Sequence, residues 1–267
     1  MKTRIISATL LTILLIAVDI FGGYVMFGFA LCLSIMGMFE LYRVLGIHKK
    51  VFAFSGYAIA IAYYALMLFG FEEYVSMWAL IAGILTMMVY VIFFTKGYTA
   101  KDAAFSLLGV LYVAVPLSFF YRIRIMENGL FLYFMIFICS WISDTFAYFV
   151  GSAIGRHKLT PVLSPKKSIE GAIGGTLAGT IFAFVYAVIL RGKLGVDYAL
   201  PFTIIGFVGS IMSIFGDLAA SAVKRNYDVK DYSNLIPGHG GILDRFDSMI
   251  FVTPIVYIGM FFMAKGV

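Results

Sequence analysis

Apolar residues run through this chain in long stretches, broken at nearly regular intervals by short polar or glycine-containing joints. The stretches 5–21, 24–45, 51–70, 75–95, 103–121, 129–152, 169–190, 199–223 and 242–264 each approach the length an α-helix needs to cross a bilayer. The pattern predicts an all-α, polytopic integral membrane protein with about nine transmembrane helices. A membrane β-barrel would instead show short segments of alternating polarity. The first two stretches are joined only by Phe21, Gly22 and Gly23, which leaves a re-entrant hairpin open as an alternative. The basic start followed by an apolar run resembles a signal peptide, but no small-residue cleavage site follows, and the segment is read as the first anchor.

Composition agrees with the pattern: 62% of residues are hydrophobic, 17% aromatic and only 13% charged. If the N-terminus is cytoplasmic, fifteen of the twenty lysines and arginines fall on that side, Lys2, Arg4 and Lys96 among them. The opposite side receives Arg122, Arg124, Arg191, Lys193 and Lys265, with Glu72 and Glu73. By the positive-inside rule this bias sets the orientation and puts the C-terminus outside. The net charge of +6 raises nucleic acid as a partner, yet the basic residues sit in short loops beside spans. Anionic lipid head groups and small anionic substrates are the expected partners, with no nucleic acid. Cys32 and Cys139 are isolated and distant, which is no disulfide framework and no metal cluster.

The ionisable groups are unevenly spread. Residues 1–128 read as scaffold, with Asp19 and Glu40 as internal charges near span ends; residues 129–267 carry three polar islands and read as the catalytic region. In the first island Ser143, Asp144 and Thr145 interrupt an apolar helix, and a carboxylate there needs a partner, water or a cation. The second island, 155–171, contains Pro161 and Pro165, which exclude a continuous helix; Ser164 or Ser168 can cap a helix starting near Ile169. The N–H groups at that start, beside Lys166 and Lys167, offer a phosphate cradle, although an ordinary positive-inside loop would look similar. Gly171, Gly175 and Gly179 form a small-residue face suited to close helix packing; such a face permits a homodimer and equally serves packing within one chain.

The third island is the densest. Asp217, Ser221, Lys224 and Asp228 are spaced by four, three and four residues, so a helix continuing through all of them would align them on one face. The glycine-rich turn 236–241 re-aims the chain and can approach a ligand closely, with His239 as a candidate phosphate contact. Asp244 and Asp247, three apart, can then converge from the next helix. Converging carboxylates repel unless a cation lies between them, and hard cations such as Mg²⁺ take carboxylate, water and phosphate oxygens. Asp144, Asp217, Asp244 and Asp247 are therefore the candidate ligands for Mg²⁺, with a second cation as an open alternative. With only three histidines and two remote cysteines, a zinc site is not expected.

The segment Ser221-Ala-Val-Lys-Arg225, Lys230-Asp231 and Pro237-Gly-His-Gly-Gly-Ile-Leu-Asp-Arg-Phe-Asp247 resembles the signature of the phosphatidate cytidylyltransferases, also called CDP-diacylglycerol synthases, through residues 221–247. Ser143-Asp144-Thr145-Phe-Ala-Tyr148 and Ser164-Pro-Lys-Lys-Ser-Ile-Glu-Gly171 resemble the same family. The resemblance implies transfer of CMP from CTP to phosphatidic acid, giving CDP-diacylglycerol and pyrophosphate, in phospholipid biosynthesis at the cell inner (plasma) membrane. Phosphatidate brings its own phosphate as nucleophile, so catalysis reduces to positioning and electrostatic stabilisation by metal and cationic side chains. In that scheme Lys166, Lys167, Lys224, Arg225 and His239 hold phosphates, while Ser221, Lys230, Asp231 and Arg245 support the site. Lys167, Lys224, Arg225, Asp217 and Asp244 are the residues expected to act in catalysis. Phosphatidate would enter from the inner leaflet and CTP from the cytosol. Two other classes stay open: a CTP-dependent lipid kinase, which would release CDP rather than pyrophosphate, and a secondary transporter with midplane carboxylates.

Overall fold

The computed structural model describes residues 2–70, 73–93, 99–194 and 197–264, apart from the side chains of residues 2–6, 8, 73–76, 78, 79, 90, 93, 194 and 264. Glu72, Lys96 and Lys265 thus lie outside the described residues, as do the side chains of Lys2, Arg4 and Glu73. In chain order the helices are α1 (Lys2–Phe21), α2 (Gly23–Val44), α3 (Val51–Leu68), α4 (Glu73–Phe93), α5 (Ala100–Arg124), α6 (Gly129–Ile154), α7 (Ile169–Leu194), α8 (Ala199–Asn226) and α9 (Leu243–Ala264). Among the described residues seven of them, α2, α3 and α5 to α9, are long and apolar enough to cross a membrane, and the chain is a multi-pass membrane protein. The expected spans over 5–21 and 75–95 form helices α1 and α4, but their described apolar parts, Thr9–Phe21 and Leu80–Val89, are shorter.

Two departures from plain α-helix were not anticipated. Wide π-turns interrupt α5 at Val110–Ala114 and α6 at Ile138–Ile142; the second ends immediately before Ser143 and Asp144. Between α6 and α7 the chain forms a small antiparallel hairpin, β1 (Lys158–Thr160) and β2 (Ser164–Ser168), with Lys158 opposite Ser168. Pro165 is tolerated because the ladder is irregular and has only two edge strands. Among the described residues the helical architecture therefore carries one short β-hairpin.

The chain divides into two compact units, Met1–Tyr121 with Val229–Asp244 and Arg122–Asp228 with Arg245–Val267. The late segment Val229–Asp244 groups with the first unit.

In the first unit α1 and α2 are joined through Gly22, whose φ of 58° lets the chain reverse in one residue. Helix α2 ends in a left-handed glycine cap at Gly46, where Ile47 N–H donates to Tyr42 O and Gly46 N–H to Arg43 O, satisfying its last carbonyls. Helix α5 opens with a reciprocal cap between Thr99 and Asp102, and the Asp102 carboxylate also pairs with Lys50 at 2.7 Å. Three buried tyrosines find hydrogen-bond partners: Tyr42 donates to Ser106 O at 2.6 Å, Tyr63 meets Ser118 Oγ at 3.0 Å and Tyr64 meets Ser34 Oγ at 2.8 Å.

In the second unit α7 lies between α6 and α8. Its expected glycine face is the contact face: a Cβ at Gly171 would fall 2.6 Å from Ala147 O, one at Gly175 would fall 2.5 Å from Ser143 O, and one at Gly179 would strike Ser210. Elsewhere on α7 Ile173, Leu177, Ile181, Phe184 and Val188 are exposed at helical spacing. Such a stripe is untenable in water and suited to hydrocarbon.

Candidate functional site

In the second unit the polar residues of three helices meet. Asp144 stands in the first turn after the π-turn of α6, and its two carboxylate oxygens accept from different helices: Ser213 Oγ of α8 at 3.5 Å and Ser248 Oγ of α9 at 3.4 Å. Both distances are at the long end for hydrogen bonds, and Asp144 remains exposed. Gly216 lets α8 and α9 touch backbone to backbone, since a Cβ there would lie 2.6 Å from Asp247 O and 2.9 Å from Ser248 Cα. That approach brings Asp217, the next residue on α8, beside Asp247. Asp247 is half-buried, and one of its oxygens accepts from Ser248 N–H at 2.8 Å.

Two lysines face these carboxylates. Consecutive residues of a strand point to opposite sides, and in β2 that alternation separates Lys166, which is exposed, from Lys167, which is half-buried and forms an ion pair with Asp217. Lys224, two turns beyond Asp217 on α8, is buried. Asp144, Asp217 and Lys224 all lie close enough to act electrostatically on Asp247, and Lys167 acts on Asp144. The cluster thus sets three carboxylates against two ammonium groups. Among the described residues no three His, Cys, Asp or Glu side chains are already drawn together as a ligand set. The donors are all hard oxygens with excess negative charge, which is the chemistry a divalent cation such as Mg²⁺ takes.

The hairpin holds Lys167 in place. Ser168 Oγ accepts from Gly171 N–H at 3.1 Å, so it is the cap of α7, as one of the two expected serines. One N–H of the suggested phosphate cradle is therefore already taken. Glu170, in the first turn of α7, accepts from Arg156 N–H at 3.1 Å and His157 N–H at 3.2 Å, and meets His157 Nδ1 at 2.6 Å. The strand following α6 is thereby tied to the start of α7.

The expected stripe along α8 is realised only in part. Asp217, half-buried Ser221 and buried Lys224 share a helix face, with exposed Arg225 beside them, but α8 ends at Asn226. Asp228 lies past the cap in a left-handed conformation, φ 53°, and so does not continue the face. An L-residue at that φ cannot extend a right-handed helix.

Within the third island, Val229–Asp244 belongs to the first unit. Lys230 and Asp231 are exposed, whereas Tyr232 and Ser233 are buried. Pro237 and Gly238 make a tight turn in which His239 N–H donates to Ile236 O at 2.9 Å; Gly238 and Gly240 adopt φ of 80° and 83°. His239 Nδ1 is 2.7 Å from Ser7 Oγ, which also donates to Pro237 O at 3.2 Å. Asp244 Oδ2 accepts from Tyr232 N–H at 2.8 Å and Gly241 N–H at 2.9 Å, closing the segment on itself. Arg245, next in α9, is exposed.

Sequence reasoning missed Glu40. Its buried carboxylate accepts from Ser233 Oγ at 2.5 Å, Ile242 N–H at 2.9 Å and Leu243 N–H at 2.8 Å. A charge inside an apolar run was itself the signal, since such a group must be paired. Ser213 and Ser248 gave no comparable signal, because isolated serines are common in membrane helices.

A model of the cytidylyltransferase family matches residues 2–263. The chain is 35% identical over 265 residues to the phosphatidate cytidylyltransferase of Staphylococcus haemolyticus, covering 97% of this chain and 98% of that protein. It is also 35% identical over 268 residues to that of Staphylococcus aureus strain COL, and 33% identical over 265 residues to that of Staphylococcus epidermidis strain ATCC 35984, with the same coverage.

Proposed function

Because this chain belongs to the cytidylyltransferase family, we propose that it transfers CMP from CTP to phosphatidic acid. A phosphatidate oxygen forms the new bond to the α-phosphorus of CTP, the bond from that phosphorus to the oxygen bridging to the β-phosphorus breaks, and pyrophosphate leaves with that oxygen. The observation that carries the reading is the meeting of Asp144, Asp217 and Asp247 with Lys167 and Lys224 among apolar helices, a site built for charge rather than for a covalent nucleophile. Relatives named phosphatidate cytidylyltransferase match the chain over nearly its full length, which supports the substrate.

Asp144, Asp217 and Asp247 hold Mg²⁺ in this proposal; Asp244, three residues before Asp247 in α9, is included on helical spacing alone, and a second cation fits the same donor chemistry. A bound Mg²⁺ would offset the charge of the triphosphate and stabilise the departing pyrophosphate. Lys167 pairs with Asp217; with a cation on that carboxylate its ammonium would be available to hold a substrate phosphate. Lys224 and Arg225 supply fixed positive charge from α8, and Ser221 contributes a hydroxyl on the same face. Lys166, Lys230, Asp231, His239 and Arg245 steer or hold the two anionic substrates. Both substrates arrive from the cytoplasmic side of the cell's inner (plasma) membrane, which the fifteen-to-five split of lysine and arginine supports.

The test uses purified protein in detergent with phosphatidic acid, Mg²⁺ and CTP labelled separately at the α- and γ-phosphates. Label from the α-position in lipid, with γ-label recovered in pyrophosphate, is the expected outcome. Entry of γ-label into lipid with release of CDP would establish a lipid kinase instead.

A further inference from the structure

We propose that Glu40, in the helix region that otherwise reads as scaffold, is a positioning residue for the 229–244 segment and for the first turn of α9. The proposal rests on the cytidylyltransferase reading, in which that segment carries substrate-handling residues. Helix α2 meets the segment at three positions spaced three residues apart, Gly37, Glu40 and Arg43. At Gly37 the helix surface is so close that a Cβ would lie 3.1 Å from Leu243 Cδ2. At Glu40 the carboxylate takes the hydroxyl of Ser233 and the backbone N–H groups of Ile242 and Leu243. At Arg43 the guanidinium donates from Nη2 to Tyr232 O at 2.6 Å.

The geometry is too tight to be a general packing contact. A Cβ at Gly241 would lie 2.5 Å from Glu40 Oε2, so this glycine exists to let backbone N–H groups reach the carboxylate. Glu40 thereby plays the part usually taken by a local cap residue for α9, from a distant helix. With both of its oxygens engaged and Asp244 holding Tyr232 and Gly241, the segment has one available course. Removing the carboxylate leaves two backbone donors at the start of α9 without an acceptor, in a buried setting. The turn bearing His239 and the helix start bearing Asp244 then lose their fixed geometry together.

The experiment compares wild type with Glu40→Gln, Glu40→Ala and Ser233→Ala, full-length in detergent. Three readouts are taken: amide hydrogen exchange of peptides covering 240–244, kcat and KM for CTP, and the unfolding temperature. In Glu40→Ala, exchange at 240–244 should accelerate selectively and kcat should fall by about tenfold or more, with KM for CTP changed by less than about threefold. Glu40→Gln keeps one acceptor oxygen and should lie between wild type and Glu40→Ala. Ser233→Ala leaves Glu40 intact and should shift both readouts in the same direction by a smaller factor. That variant decides the matter if the Glu40 variants do not fold. Unchanged exchange and unchanged kcat in the folded variants overturn the proposal, as does a loss of kcat without selective exchange at 240–244. Exchange needs no substrate, so an inactive wild type would count against the cytidylyltransferase reading alone, while the exchange data would still decide whether Glu40 fixes the segment.

Discussion

Gly216→Ala is the sharpest single test of the site in the second unit. The added methyl would lie 2.6 Å from Asp247 O and 2.9 Å from Ser248 Cα, whereas ordinary van der Waals contact begins near 3.4 Å. Both opposing atoms are backbone, so no rotamer change relieves the clash, and α8 and α9 must part by about 0.8 Å. Overpacking of this kind costs about 1–3 kcal/mol of stability. The functional effect should be larger. Ser248 Oγ already stands 3.4 Å from Asp144 Oδ2, and a further shift of that size breaks the contact and separates Asp247 from Asp217. Misplacement by about 1 Å can cost on the order of 10²-fold in rate, so kcat should fall by about one to two orders of magnitude. The assay is pyrophosphate release from CTP and phosphatidic acid, with thermal unfolding measured on the same preparation. Gly209→Ala, on the same helix, meets the Cys139 side chain, with Sγ 2.8 Å away, and should lower stability with little effect on kcat. Gly192→Ala meets nothing within 4 Å and should be neutral in both. Folded Gly216→Ala enzyme with turnover within about twofold of wild type would refute the reasoning that backbone contact between α8 and α9 sets the carboxylate geometry.

Lys167→Met removes the ammonium that pairs with Asp217 while preserving side-chain length; kcat/KM should drop by about 10²- to 10³-fold, and Lys167→Arg should recover part of it. Ser168→Ala removes the hydroxyl that caps α7 and should cost about 1 kcal/mol in an unfolding measurement, with KM for CTP rising as the strand carrying Lys167 loosens. Chelation by EDTA should abolish turnover and added Mg²⁺ restore it; Asp144→Asn and Asp247→Asn should raise the Mg²⁺ concentration for half-maximal rate, and undiminished turnover in EDTA would remove metal from the mechanism.

The helical membrane architecture was legible because its signal is strong: a run of apolar residues of spanning length has few other uses. The glycine face of α7 was legible for a similar reason, since three glycines at four-residue spacing specify both a face and a close approach. Local chemistry narrowed the cap of α7 to Ser164 or Ser168, and the structure selects Ser168. What sequence could not convey was long-range pairing. The four-three-four spacing from Asp217 to Asp228 suggested one continuous face, but the backbone leaves the helix at Tyr227, and nothing in the spacing marks that exit. Asp244 and Asp247 looked equivalent at three residues apart. Asp244 is engaged by the N–H groups of Tyr232 and Gly241, whereas Asp247 stands in electrostatic range of Asp144 and Asp217. Glu40 looked like an isolated charge near a span end because its partners are about 200 positions away. The π-turn before Asp144 also has no spacing signature, since it inserts a residue into an otherwise regular helix.

The completion of the first unit by Val229–Asp244 bears on how the protein is made. Glu40 is synthesised 193 residues before Ser233 and 202 before Ile242. At ordinary translation rates the interval is roughly 10 to 40 seconds. Throughout it, α2 holds a carboxylate whose permanent hydrogen-bond donors do not yet exist, so water must solvate it. The N-terminal helices are consequently not a module that can be cut out or grafted. A nascent chain stalled before residue 229 presents an acid inside an apolar helix without the donors that hold it in the finished protein.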